Sequence, residues 1–187
     1  MEIIDVYKET INLKENTELN YNLKPNSFAK LFFHDRVGVN LKVNISLDEN
    51  ASCEIYGLFH NEGKDPNVIT DVIHKGKKSK CDQDFRFVNK NCDSSFAGKI
   101  TIPKEVTGCE SHMLNKNLLL DDESTAFSKP ELDIKNDDTI CSHGATTGDL
   151  DPEQVFYLRS RGIPEPEAIN ILVDAFYRDI KIKMESK

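Results

Sequence analysis

No stretch of this 187-residue chain approaches the roughly 20 consecutive apolar residues that cross a bilayer. Met1 leads into Glu-Ile-Ile-Asp rather than into a charged and then apolar leader, so the reading predicts a cytoplasmic protein without membrane attachment. Basic runs are missing as well. The 24 Lys and Arg are outnumbered by 32 Asp and Glu, for a formal charge of -8, which argues against nucleic acid as a partner. Cysteine is scarce and dispersed: Cys53, Cys81, Cys92, Cys109 and Cys141 are odd in number and include no Cys-x-x-Cys pair. That excludes a disulfide framework and a zinc knuckle, and it predicts that most of the thiols behave as small buried hydrophobes. The chain contains no G-x-x-x-x-G-K-[ST] phosphate loop, so nucleotide hydrolysis would fall to a partner. His60-Asn-Glu-Gly-Lys64 lacks the second histidine of a zincin helix. His34, His60, His74 and His112 are expected on the surface or as satisfied core residues.

What is present, up to about Asp138, is extended. Short apolar or alternating runs recur at Leu31–Phe33, Leu41–Leu47, Glu54–Phe59, Asp71–His74, Phe85–Val88 and Gly98–Ile102. Three more follow at Asn117–Leu120, Glu131–Ile134 and Thr139–Cys141. Asn, Asp, Gly and Pro punctuate them, and no helical crossover intervenes. A β-sandwich and an irregular β-solenoid account for that pattern equally well; the lack of a strict repeat excludes a regular hexapeptide helix. One domain, or one with a small appendage, fits the length.

The character changes at Gly148, which divides the chain into a β core over residues 1–148 and a helical segment over 149–187. Asp151 is placed to cap a helix, Pro152 suits its first turn, Gln154 stands at the capping-box position and Gly162 stops it. Glu165-Pro166-Glu167 opens a second helix, with Ala168, Ile171, Leu172, Ala175 and Phe176 on one face. On the first helix Phe156 and Tyr157 are adjacent and so diverge; one ring is expected inward and the other outward. Arg159 and Arg161 follow within a turn, and aromatic plus Arg is a composition enriched at interface hot spots.

Cys141 and His143 stand two residues apart at a predicted strand end, which puts both side chains on one face. Thiolate and imidazole both ligate zinc, iron or an iron–sulfur cluster, but two donors do not close a tetrahedral shell. The same pair could be a thiol nucleophile with its base. No third orienting residue, nucleophile elbow or glycine-rich oxyanion loop accompanies it. It could equally be a half-buried thiol beside a hydrogen-bonded imidazole.

The stretch from Asn115 to Phe176, NKNLLLDDESTAFSKPELDIKNDDTICSHGATTGDLDPEQVFYLRSRGIPEPEAINILVDAF, closely resembles the core of the SufB/SufD family, scaffold subunits of the SUF iron–sulfur cluster assembly machinery. The signposts are Asn-Lys-Asn-Leu-Leu-Leu, Lys129-Pro-Glu-Leu132, Cys141-Ser-His-Gly-Ala-Thr146 and Phe156-Tyr-Leu-Arg-Ser-Arg-Gly-Ile163. Thr70–Lys75 and Ser94–Ile102 are also similar, so the likeness runs from about Tyr56 onward. The resemblance implies a right-handed parallel β-helix followed by a helical hairpin, and a non-catalytic scaffold. It implies a SufC-type ABC ATPase docked on the helical segment near Phe156, Tyr157, Arg159 and Arg161. It also implies a homodimer, or a heterodimer with a SufB-like scaffold, formed through the cores. Cys141 and His143 would then be ligands to a transient iron–sulfur cluster shared with the partner chain. SufB-type members carry a cysteine in the turn that here reads Leu120–Ala126 without one, which makes the resemblance SufD-like. A purely structural subunit that dimerises and docks the ATPase without holding metal is the alternative it leaves open.

Overall fold

In the computed structural model, which describes Asp5 through Glu185, the chain winds through eleven strands and then two helices. Residues 1–4 and 186–187 of the two expected segments lie outside the described residues. The odd strands, β1 (Asp5–Asn12), β3 (Ser27–Asp35), β5 (Ser52–Glu62), β7 (Lys80–Lys90), β9 (Cys109–Leu119) and β11 (Thr139–Asp149), form one parallel sheet in that order. The even strands, β2 (Thr17–Leu23), β4 (Leu41–Leu47), β6 (Asn67–His74), β8 (Asp93–Ile102) and β10 (Thr125–Ile134), form the other, also parallel. Every strand therefore pairs with the strand two places away, which is a solenoid and not a sandwich. Eight of the nine runs named above fall within a strand, and Asn117–Leu120 overruns the end of β9 by one residue; β1 and β2 contain no named run, although Leu19, Tyr21 and Leu23 alternate.

A repeat does exist, in conformation. Asn26, Asn50, Lys78 and Gly108 hold the equivalent place before β3, β5, β7 and β9, and all four have φ between 57° and 69°. Asn and Gly tolerate this left-handed turn best. The turns stack through Asn26 N–H to Glu49 O, Asn50 N–H to Lys77 O and Lys78 N–H to Thr107 O, each at 2.9 Å. The interval between register partners grows from Phe28–Ser52 to Ser52–Lys80 to Lys80–Glu110, so no fixed period appears in the sequence.

The lumen between the sheets is filled by ladders of in-register side chains. Leu31, Ile55, Gln83, Met113 and His143 form one row of the odd sheet; Ala29, Cys53, Cys81, Ser111 and Cys141 form the next. Rings interlock through the middle coils, with Phe59 and Phe87 stacked at 4.8 Å and Phe85 and Phe96 at 5.1 Å between centroids. Gly57 is required there, since a Cβ would stand 2.3 Å from the Phe85 ring. Four of the five thiols are free and fully buried, as expected, and Cys141 is half-buried.

The two sheets differ on their outer faces. The even sheet alternates buried and exposed residues, whereas the central parts of β5 and β7 are buried on both faces because α2 (Glu165–Glu185) covers them. Val173, Tyr177 and Ile180 pack on Phe32, Tyr56, Leu58 and Val88, each such burial contributing about 1.5–3 kcal/mol. Tyr177 donates its hydroxyl to Phe59 O at 2.7 Å, and buried Arg86 bridges Asp84 and Asp179 at 3.2 Å each while donating to Phe176 O. The covering stripe is thus Ile169, Val173, Phe176, Tyr177, Ile180 and Met184. It is not the expected face: of that face only Phe176 belongs to the stripe, Ala168 being buried outside it. Ile171 and Leu172 turn instead toward α1 (Pro152–Ser160), lining a shallow hollow with Tyr157 and Leu158. A helix packed on two neighbours carries two apolar stripes, and Ile171 and Leu172 belong to the one that faces α1.

Candidate functional site: the open end of the solenoid

Among the described residues the solenoid ends at β10 and β11, each paired on one side alone, β10 with β8 and β11 with β9. β11 is eleven residues long and leaves a full row of N–H and C=O groups unpaired. Alternation along β11 turns Cys141 and His143 toward the lumen side, beside Ser111 and Met113 of β9, and Ile140 outward. Cys141 packs against the edge of the core. Burial raises its thiol pKa, and hydrogen bonds from Thr139 and the Ser111 backbone partly offset that. A thiol held protonated in this way is a poor resting nucleophile, which weakens the thiol-enzyme reading. His143 is exposed and makes no hydrogen bond within the described residues, so its ring is free to ligate. His112, one register position away on β9 and on the opposite face, is instead committed through Nδ1 to its partner Ser142 Oγ at 2.7 Å.

No cluster of three or more His, Cys, Asp or Glu that could hold a metal occurs among the described residues. One chain therefore offers two donors of the right chemistry and an incomplete shell.

Two features of this end were not read from the sequence. Its lumen is polar: Asn115 and Asn117 occupy the rows that Phe85 and Phe87 occupy one coil earlier. Asn117 Nδ2, with two hydrogens to share, lies 3.1 Å from Asn115 Oδ1 and Thr147 Oγ1 and 3.2 Å from Ser128 Oγ and Thr146 O, while Ser128 donates to Asn115 Oδ1. Its outer surface is apolar at two points, Phe127 on β10 and Ile140 on β11, each 64% exposed. The signal was available in the alternation itself, since Ala126, Ser128 and Pro130 take the inward positions of β10 and leave Phe127 outside.

The other predicted residues lie on α1, which buries no residue fully. Asp151 caps it by accepting from Glu153 N–H at 2.9 Å, and Gly162 ends it at φ 87°. Phe156 and Tyr157 are both exposed, at 71% and 55%, which corrects the expectation that one would pack inward. The helix meets α2 through Leu158, and the Tyr157 ring only borders the shallow hollow around Ile171. Arg161 donates to Tyr157 Oη at 2.8 Å and lies over its ring, and Arg159 pairs with Glu165 at 3.0 Å. The structure thus brings Cys141 and His143 together and places the α1 quartet on a separate exposed surface. Among the described residues, no helix is long and apolar enough to cross a membrane.

Comparison with known proteins gives the family. Residues 27–176 match the SufBD core domain of SUF-system FeS cluster assembly, a match reaching further toward the N-terminus than the motifs read above. An iron-sulfur cluster assembly SufBD family protein of Synechocystis is 40% identical over 115 residues, covering 62% of this chain and 23% of that protein. The iron-sulfur cluster assembly protein SufD of Escherichia coli is 41% identical over 85 residues, 46% of this chain and 20% of that protein. A SufBD family protein of Mycobacterium tuberculosis is 39% identical over 120 residues, 64% of this chain and 30% of that protein. The matched stretches span less than a third of these relatives. The chain belongs to the SufBD core-domain family of the SUF system of iron–sulfur cluster assembly.

Proposed function

We propose that this chain is a non-catalytic scaffold in iron–sulfur cluster assembly that pairs with a second scaffold chain through the open end of its solenoid. Cys141 and His143 then contribute two ligands to a cluster held transiently between the chains, the cluster being cargo. The carrying observation is that both residues sit on the unpaired edge strand β11, with a thiol and a free imidazole on one side of it. A second β11 edge, from another copy or from a SufB-like relative, would satisfy the exposed N–H and C=O groups. It would also cover Phe127 and Ile140 and bring the missing donors. The helical segment after Gly148, with Phe156, Tyr157, Arg159 and Arg161 exposed, is the surface we assign to a SufC-type ATPase, consistent with the lack of a phosphate loop.

The incomplete ligand set keeps one further reading in play, a subunit that pairs and docks without holding metal. Sedimentation equilibrium at tens of micromolar, a range suited to a modest interface, tests the pairing. The wild-type chain should be dimeric and Ile140→Asp monomeric with an unchanged melting temperature. A monomeric wild type that also fails to pair with a SufB-like chain would contradict the proposal.

A further inference from the structure

Far from the open end, a recess of about 420 Å³ lies where the carboxyl ends of β3 and β5 run out beneath α2. Alternation delivers two imidazoles to it. His34 is the register partner of Leu58, and His60 follows two residues later, so both project from the outer face of the odd sheet. The loop after β3 adds Arg36, and Leu58, Val173 and the Tyr177 ring give the recess an apolar wall.

Its carboxylates are matched. Glu62 meets Lys90 at 2.6 Å, and Asp174 meets Lys181 at 2.6 Å. Asp35, next to His34, is turned into its own loop, accepting the amides of Val37 and Val39 at 2.8 and 2.9 Å. Its donors are not matched. Arg36 has no ion pair and His60 no hydrogen bond among the described residues, and His34 has only a 3.4 Å contact to Asn12. A cation entering here finds no uncommitted carboxylate. An oxyanion finds a planar guanidinium fork and two ring nitrogens. Three donor groups suit the several oxygens of a phosphate better than the two of a carboxylate, and the recess exceeds a bare phosphate in size.

We propose that this recess binds a small phosphorylated molecule, with Arg36, His60 and His34 on the phosphate and Leu58, Val173 and Tyr177 against its apolar part. Burial, and then the charge of Arg36, lower the pKa of both imidazoles in the free protein. The remaining charges acting on them are Asp35, Lys181 and His60 at His34, and Glu62 and Lys90 at His60. A bound phosphate dianion would push both back up.

Histidine ring resonances followed by NMR provide the test. Inorganic phosphate and phenyl phosphate are the probes, and acetate at matched ionic strength is the control. Phosphate should shift the His34 and His60 signals saturably and raise their titration midpoints, while His74, His112 and His143 stay fixed. Phenyl phosphate should saturate at a lower concentration. Arg36→Gln should weaken both about tenfold, the scale of one lost charge-assisted contact, with thermal unfolding unchanged; His60→Gln serves the same purpose should Arg36→Gln misfold. No saturable shift, an equal response to acetate, or full binding in both variants would overturn the proposal.

Discussion

The middle coils and the last coil are built on one backbone plan with opposite side-chain chemistry. Between β5 and β8 the lumen is largely apolar and aromatic, and α2 covers the outer face of β5 and β7. At β9 to β11 the lumen turns to asparagine and serine, apolar side chains stand outside, and the edges are unpaired. A middle coil has coils on both sides, so selection there is for packing. The last coil has a neighbour on one side, and its composition is that of a surface awaiting another surface.

The largest effects should come from the middle. Phe87→Ala removes a ring stacked on Phe59 and edge-on to Phe96, and should cost about 3–5 kcal/mol in a urea melt. A loss under about 1 kcal/mol would mean that the lumen is not the close-packed ladder described here.

His74 gives the next effect, through pH. It is wholly buried, and Ser79 donates its hydroxyl to Gly76 O, so the 2.7 Å contact from His74 Nδ1 to Ser79 must be a ring N–H donation. Nε2 is then a bare acceptor with no partner, which corrects the expectation of a satisfied core histidine. Burial depresses its pKa from 6.5 to about 4. Between those values the unfolded chain binds a proton that the folded chain refuses, so stability falls as pH falls from 6.5 and the loss is complete below about 4. The full loss is about 3 kcal/mol. Melts from pH 7 to 4 should show this slope in the wild type and a shallower one in His74→Leu; identical slopes would exclude His74 as its source.

At the last coil, Asn117→Ala removes an amide whose two N–H groups are shared among Asn115, Ser128, Thr146 and Thr147. It should cost about 1–3 kcal/mol, less than Phe87→Ala, because the orphaned groups lie at an open end of the solenoid where water can reach them. A larger loss than at Phe87 would reverse the comparison. The smallest stability effect belongs to Arg159→Glu on exposed α1, about 0.5 kcal/mol or less. Its consequence should be lost co-purification with a SufC-type ATPase. Retained binding together with collapsed stability would move the docking surface elsewhere.

The strands were legible because Leu41–Leu47 and Gly98–Ile102 alternate strictly, and Pro152 and Gly162 marked α1 by plain backbone chemistry. The choice between sandwich and solenoid was not, since both need alternating strands and the coil length drifts. Its trace, Asn26, Asn50, Lys78 and Gly108 at one left-handed turn, shows one residue type only twice. At the site, spacing alone put Cys141 and His143 on one face. It could not show that this face closes the end of the lumen, because that follows from β11 having no further strand to pair with. The stripe of α2 was misread for a related reason, as a sequence does not say how many neighbours a helix has.

Anaerobic reconstitution with iron and sulfide, in the presence of the paired scaffold chain and the ATPase, tests the central claim most directly. Iron bound per assembled complex should fall at least severalfold in both Cys141→Ala and His143→Ala, while dimer content and melting temperature hold. Unchanged iron in both variants, with the dimer intact, would contradict the ligand role and leave a chain that pairs and docks without touching the cluster.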